Sequence, residues 1–494
     1  MYQFSWEALG KELLYNPENP LLFNSGFFVF FFVAFMILYF IFRNHFRIRA
    51  SILSFFSLYF FYKASGSFVI LVLISATVDF LLSNALYKSR KQLHKKLFLI
   101  ISIVFNLGML FYFKYTDFFI SLTNHFLNKP LNPLHILLPI GISFYTFENI
   151  SYVVDVYKKE IEPEKSFINY LLFLSFFPKL VMGPIVRAKD FIPQLKKPYF
   201  VSNEYLQRGF YLIISGLFKK LIISDYITLN FVNFVYDTPN LHTGLECLLA
   251  TYAYAIVIYC DFSGYSEIAI GIALWLGIEI PANFRTPYQS TSIQEFWRRW
   301  HISLSSWLRD YLYISLGGNR KGTLKTYVNL FITMLLGGFW HGASWNFIIW
   351  GALHGWVLGM HKYLTGFDFY KKWHFSKSKI YTLLSGIFTF HFVCFCWIFF
   401  RAETINKAQI IIRQIFLNFT LFGVEKFIAN YKNVLLMMSL GYILHLIPSK
   451  FSFNEWKWVK EKPVFFYVLF FILFLIAYSQ LKSAESVMPI YLQF

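Results

Sequence analysis

The stretch Gly337-Gly338-Phe339-Trp340-His341-Gly342-Ala343-Ser344-Trp345 closes an apolar run that begins near Tyr327 and follows the basic residues Arg320, Lys321 and Lys325. Fourteen helical steps of ~1.5 Å separate Tyr327 from His341, which puts the imidazole about 21 Å along the axis, inside a hydrocarbon layer ~30 Å thick. The basic residues mark the entry side of this helix as cytoplasmic. A charge at that depth costs roughly 2.5–3.5 kcal/mol, so the ring is expected to be neutral, and a neutral imidazole accepts protons. That suits a general base that takes the proton of an alcohol as the alcohol attacks an acyl thioester. Gly337, Gly338 and Gly342 remove side chains near the ring, which would let a narrow substrate pass close to the backbone. The alternative is a buried histidine satisfied by a neighbouring carbonyl.

The rest of the chain supplies a membrane setting for that ring. Of 494 residues, 57% are apolar, 22% aromatic and only 14% charged. Soluble proteins carry about 25% charged residues, so lipid is the expected solvent. The formal charge is +19, from 45 Lys and Arg against 26 Asp and Glu. Because the basic residues gather in short loops between apolar runs, the excess reads as topology under the positive-inside rule and not as a nucleic-acid surface. Cys247, Cys260, Cys394 and Cys396 lie inside apolar stretches without metal-ligand spacing and read as buried thiols. His341, His354 and His361 are likewise not read as a metal set.

Residues 1–21 read as an interfacial extension, with Trp6, Leu9, Leu13 and Leu14 on one side, or as a disordered tail, ahead of a single membrane domain over 22–494. The opening residues are polar and mixed, so the first span, Phe27 to Phe42, is expected to do the targeting. It ends at Arg43, Arg47 and Arg49, which places that loop in the cytoplasm. Ser51–Tyr62 and Ser67–Leu86, hinged near Gly66, go out and return to a second basic loop, and Leu97–Phe113 crosses again. His135–Val156 and Ile168–Val186 are interrupted by Pro139, Gly141, Pro178, Gly183 and Pro184. Such breaks are tolerated at membrane depth only where protein or a water-filled cavity covers the backbone, so broken or re-entrant helices are expected. Tyr205–Ile227 holds Lys219 and Lys220 in its middle and is expected along the interface. Leu245–Ile278, the run ending at Trp340, Trp345–Met360, Ile380–Phe400, Val434–Leu446 and Pro463–Tyr478 complete an all-α integral membrane fold of about eleven spans around a central tunnel.

Glu295–Ser315 reads as one amphipathic helix at the membrane surface, with Trp297, Trp300, Leu304, Trp307 and Tyr311 on one face and Arg298, Arg299, Arg309 and Asp310 turned elsewhere. His301 on this helix reads, by itself, as an interfacial histidine. Gly317, Gly318, Asn319 and Arg320 could cradle a phosphate of the acyl donor through backbone N–H groups, although a helix cap and turn account for the glycines as well. Asp261 and Glu267 lie six residues apart in a span, about 120° around a helix, so they are no shared acid–base pair. Each is expected to neutralise one of Arg285, Arg298 or Arg299 and, with Ser263, to support an internal cavity. Arg401 reads as a snorkelling cytoplasmic anchor.

Several stretches, taken in order, resemble the membrane-bound O-acyltransferase family, in its bacterial alginate and peptidoglycan O-acetylation branch. They are Leu138-Pro-Ile-Gly-Ile-Ser-Phe-Tyr145, Gly183-Pro-Ile-Val-Arg187, Tyr259-Cys-Asp-Phe-Ser-Gly-Tyr265, Phe296-Trp-Arg-Arg-Trp-His-Ile-Ser-Leu-Ser305, Trp307-Leu-Arg-Asp-Tyr-Leu-Tyr313, Leu316-Gly-Gly-Asn-Arg320 and Trp340-His-Gly342. The resemblance covers roughly residues 23–401. It implies an enzyme with two histidines facing a tunnel, His341 as catalytic residue and His301 beside it, with Trp300, Trp340 and Asn346 among the supporting residues. It also implies acetyl taken from a cytoplasmic thioester, acetyl-CoA or a carrier-protein thioester, with no bound cofactor. The acetyl passes to a cell-envelope or secreted polysaccharide, directly or through an extracytoplasmic acetyltransferase partner, at a bacterial inner membrane. The rivals are a transporter or flippase without acyl transfer, and a D-alanyl or lipid acyltransferase of the same superfamily.

Overall fold

The computed structural model describes residues 10, 12–17, 20–23, 25–124, 126, 129–367, 378–447, 463–481 and 487–490. Trp6 and Leu9 of the expected N-terminal surface segment lie outside them, whereas Leu13 and Leu14 are exposed. Every regular element among the described residues is helical. Among the described residues, five helical stretches are long and apolar enough to cross a membrane: Phe46–Lys88, Gln92–Asn124, Gly244–Trp275, Lys379–Arg401 and Val424–Leu446. The chain divides into two compact units, residues 1–209 with 272–281 and residues 210–271 with 282–494.

In the first unit, α1 (Gly26–Ile41) starts at Ser25, whose hydroxyl accepts from the Phe28 N–H at 3.2 Å. Phe28, Phe32, Phe35 and Tyr39 are buried, while Phe30, Val33, Ile37 and Phe40 are exposed. Apolar side chains on both faces suit a helix with protein on one side and lipid on the other. α2 (Phe46–Ser65) and α3 (Val69–Lys88) meet at Gly66, whose φ of +63° gives the expected hinge. Arg49, expected in the first basic loop, lies instead in the first turn of α2, where it is buried and donates to the carbonyls of Leu195 and Lys197 at 3.4 and 2.8 Å.

Buried polar groups tie the next helices together, α4 (Gln92–Asn124), α5 (Ile142–Tyr157) and α6 (Phe167–Ser175). Asp79 of α3 accepts from Ser102 at 2.5 Å and from Asn106 at 2.7 Å, and Asn149 of α5 joins Asn106 to Tyr170 of α6. In an apolar surround each of these groups needs its partner, so the network fixes the register of four helices. The chain breaks where proline and glycine interrupt the apolar runs. α5 begins after Gly141, in the left-handed region with φ +75°, and a Cβ there would lie 2.4 Å from the Leu180 carbonyl oxygen. α6 stops at Ser175, and only the single turn Phe177–Leu180 intervenes before α7 (Ala188–Leu195).

α8 (Asn203–Leu217) runs on into π-helical turns at Phe218–Ser224 and Thr228–Val232. Lys219 and Lys220 do not sit at an interface as expected; both are largely enclosed by carboxylates on α9 (Gly244–Trp275). Beyond α9 the second unit continues, among the described residues, with α10 (Ile293–Arg299), α11 (Ile302–Trp307), α12 (Thr323–His341), α13 (Trp345–Gly366), α14 (Lys379–Arg401), α15 (Ile405–Leu417), α16 (Val424–Leu446) and α17 (Val464–Leu481). α12 and α13 form a tight hairpin. A Cβ on Gly338 would meet the Phe347 carbonyl oxygen at 2.3 Å, and one on Gly351 would meet the Met334 carbonyl oxygen at 2.5 Å. Small residues at such a crossing let two backbones touch.

Candidate active site

The site lies within the second unit, where the surface helix expected over Glu295–Ser315 is in fact three pieces. α10 is capped at Ser292, which accepts from the Glu295 N–H at 3.2 Å, while the Glu295 carboxylate accepts from the Thr291 N–H at 2.8 Å and pairs with Arg299 at 2.6 Å. The helix ends at Trp300, and His301 takes φ +41°, ψ +55°. A non-glycine residue in the left-handed region costs roughly 1–2 kcal/mol, so the surroundings must hold it there. Asn283 does so. Its backbone carbonyl accepts from the Ile302 N–H at 2.9 Å, and its side-chain oxygen accepts from the Ser303 N–H and hydroxyl at 3.2 and 2.7 Å. α11 and a π-helical stretch, Leu308–Tyr313, follow.

The break turns His301 into the interior, where none of its surface is exposed. Trp297, Trp300, Leu304 and Trp307 are buried as well, not spread along a membrane surface, because the break turns successive segments into the protein. The oxygen of Asn283 lies 3.3 Å from Nδ1 of His301. Since Asn283 uses that same oxygen to accept from Ser303, it faces the ring as an acceptor, and the ring hydrogen belongs on Nδ1. Burial pushes the His301 pKa down to about 3, so the imidazole is neutral.

His341 is the last residue of α12 and retains 3% exposure. Its ring stands edge-on to Trp340 and Trp350, each 5.0 Å away, and to Phe400 at 5.3 Å. The Trp340 ring also lies 6.3 Å from that of His301, so one indole borders both imidazoles. Phe262 meets His301 perpendicularly at 4.6 Å. Open space expected around His341 is therefore filled by rings. The glycines serve packing: a Cβ on Gly342 would lie 2.0 Å from the Phe347 ring, and one on Gly337 would be 3.1 Å from Leu308. Asn346 closes the hairpin by donating to the Ala402 carbonyl at 2.6 Å.

The carboxylates on α9 are paired with lysines, not with Arg285, Arg298 or Arg299. Asp261 lies 2.6 Å from Lys220, which also reaches Asp225 at 2.7 Å, and Asp261 accepts from the Ile490 N–H at 2.8 Å. Glu267 pairs with Lys219 at 2.5 Å and accepts from Ser215 at 3.0 Å. The two lysines lie next to each other on the turns facing α9, which sequence spacing over 40 residues does not disclose. Ser263 is buried on the same helix, Trp300 packs against Phe284, Phe296 and Trp397, and Arg298 is exposed. Arg401 is half-buried, bonded to Asn233 at 2.8 Å, and is not a simple surface anchor.

Residues 317–320 form a closed turn. The N–H groups of Gly317, Gly318 and Arg320 donate to the carbonyls of Ile314, Tyr313 and Gly317, and the Asn319 side chain accepts from Lys362 at 2.7 Å. With those donors used within the turn, the glycines supply its positive φ values, +115° and +55°. Sequence reading missed Asn283 and weighed His354 only against a metal set. No spacing rule connects Asn283 to His301, because a separate loop brings it in.

A profile of the MBOAT, membrane-bound O-acyltransferase family, matches residues 158–405, which include both histidines. A peptidoglycan O-acetyltransferase of Helicobacter pylori is 37% identical over 381 residues, 71% of each chain. The chain belongs to the membrane-bound O-acyltransferase family. As an O-acyltransferase it is also similar to a probable alginate O-acetylase of Pseudomonas putida, 42% identical over 314 residues, 63% of this chain and 62% of that one. A teichoic acid D-alanyltransferase of Bacillus subtilis is 32% identical over 292 residues, 56% of this enzyme and 72% of the relative.

Proposed function

We propose that this membrane O-acyltransferase moves acetyl from a cytoplasmic thioester, acetyl-CoA or an acylated carrier protein, to the hydroxyl of a cell-envelope or secreted polysaccharide. His341 is the base. It takes the proton of the attacking hydroxyl as the new C–O bond forms, the C–S bond breaks, and the proton passes from the imidazolium to the departing thiolate. His301, neutral and with its hydrogen on Nδ1, presents Nε2 as a second acceptor to orient the hydroxyl. The observation that carries this reading is the pair of buried imidazoles that both border Trp340, one of them held in the left-handed region by Asn283. Strain kept at a buried titratable group is a mark of function.

The enclosing rings of Trp340, Trp350 and Phe400 would exclude water that could hydrolyse the thioester, and substrates would reach His341 through a tunnel. About eleven crossings of a bacterial inner membrane would frame that tunnel, with Lys321 and Lys325 on the donor side. The acceptor is reached directly or through an extracytoplasmic acetyltransferase partner. Support for acetyl and for polysaccharide comes from the names of the Helicobacter and Pseudomonas relatives. The test is mass analysis of envelope and secreted glycans from a deletion strain complemented with wild type or with His341→Ala. Acetyl restored by wild type and absent with the variant, at equal protein level, is the expected result. Normal acetylation with the variant refutes it, and a D-alanyl ester in place of acetyl corrects the acyl group.

A further inference from the structure

α13 begins four residues past His341 and carries Trp350 and His354 one turn apart, with ring centroids 4.7 Å from each other. Trp350 stands perpendicular to His341 at 5.0 Å. Trp297 of α10 donates its indole N–H to Nδ1 of His354 at 3.3 Å. Indole is a donor only, so Nδ1 of His354 carries no hydrogen and the ring hydrogen sits on Nε2. His354 is fully buried and Trp350 is 1% exposed. Neither the His354 Nε2–H nor the Trp350 Nε1–H meets an acceptor among the described residues. Besides each other, His341 and Trp297, their neighbours are the rings of Phe296, Phe392, Trp397 and Phe400, which offer no lone pair.

A buried donor without an acceptor costs about 1–3 kcal/mol. Two on adjacent turns, beside the residue read as the base, call for a ligand that brings an acceptor with it. Trp297 makes no sense as a mere filler of apolar space, since its N–H selects the His354 tautomer that exposes a donor and not a lone pair.

We propose that the Trp350 Nε1–H and the His354 Nε2–H receive the carbonyl oxygen of the acyl thioester and stabilise it as it becomes an oxyanion. This deepens the acyl-transfer reading and rests on it. As the hydroxyl oxygen bonds to the carbonyl carbon, the C=O π pair moves onto oxygen and the alcohol proton goes to His341. When the C=O re-forms, the C–S pair leaves on sulfur and takes the proton from His341. Donors fixed in advance, in a water-free site, bind the oxyanion more tightly than the ground-state carbonyl. Trp297 is the positioning residue that sets the second donor.

The test uses membranes containing the full-length protein and its native acceptor, with labelled acetyl-CoA, following thiol release and acetyl transfer. Trp350→Phe keeps an aromatic ring but removes the N–H together with the fused pyrrole ring, so it is compared at matched melting temperature. It should lower kcat by ~10²–10³ with KM changed by less than about twofold, as for other oxyanion donors. His354→Leu should act in the same direction, and His354→Gln, whose amide can both accept from Trp297 and donate onward, should recover part of the loss. Unchanged kcat in Trp350→Phe would overturn the proposal, as would a loss confined to KM or one that only follows a lower melting temperature. No turnover by wild type would overturn the acyl-transfer reading, and this proposal with it.

Discussion

The side-chain oxygen of Asn283 sits 3.3 Å from Nδ1 of His301 and at the same time accepts from the backbone and hydroxyl of Ser303. One carboxamide therefore sets the tautomer of the histidine, the positive φ of its backbone and the start of α11. Asn283→Ala should leave the Ser303 donors buried and unmet, at about 1–3 kcal/mol, and let His301 leave its conformation. The melting temperature should fall and acetyl transfer should fall further than stability alone explains. Asn283→Asp keeps the acceptor and should retain more activity than Asn283→Ala; equal activity in the two would contradict this role.

His301 is buried neutral, and its pKa lies near 3 against about 6.5 in an unfolded chain. Below pH 6.5 the unfolded ring binds a proton that the folded ring refuses. Stability is thus lost as pH falls from 6.5 toward 3, by up to about 1.4 kcal/mol per unit. His301→Gln removes this term. The drop in melting temperature between pH 7.5 and 5.5 should be smaller in the variant than in wild type, measured in the same detergent.

Lys220 stands between two buried carboxylates, 2.7 Å from Asp225 and 2.6 Å from Asp261. Lys220→Met leaves both without a cation, and losing one partner of a buried pair costs ~3–5 kcal/mol. Asp261→Asn leaves Lys220 paired with Asp225. Protein yield in membranes should therefore fall much more in Lys220→Met than in Asp261→Asn, which immunoblotting and fluorescence-detected gel filtration can check.

Gly342 has extended backbone and needs no special φ; it is space that forbids a side chain, since a Cβ would lie 2.0 Å from the Phe347 ring. Gly342→Ala should force Phe347 or the hairpin to move, at roughly 1–3 kcal/mol. Because His341 is the preceding residue, transfer should drop with it. Pairing the change with Phe347→Leu should restore part of both.

Apolar runs, basic loops and Pro/Gly interruptions made the helical membrane fold and its broken segments legible, because lipid leaves a chain few other ways to satisfy its backbone. The burial of His341 was legible as well, since it is polar where the pattern demands apolar. What stayed hidden depends on contacts distant in sequence. The break at His301 is enforced by Asn283, and it defeats an amphipathic period that is otherwise continuous from Trp297 to Tyr311. Lys219 and Lys220 looked like interface residues until α9 supplied Glu267 and Asp261. The glycines around His341 suggested room, but they mark where two backbones touch.

The central claim, that His341 is the base for acyl transfer, is tested most directly with purified protein and labelled acetyl-CoA, comparing wild type with His341→Ala at matched melting temperature. Loss of a general base should slow label transfer to the acceptor by ~10²–10⁴. Transfer at the wild-type rate by His341→Ala would contradict it.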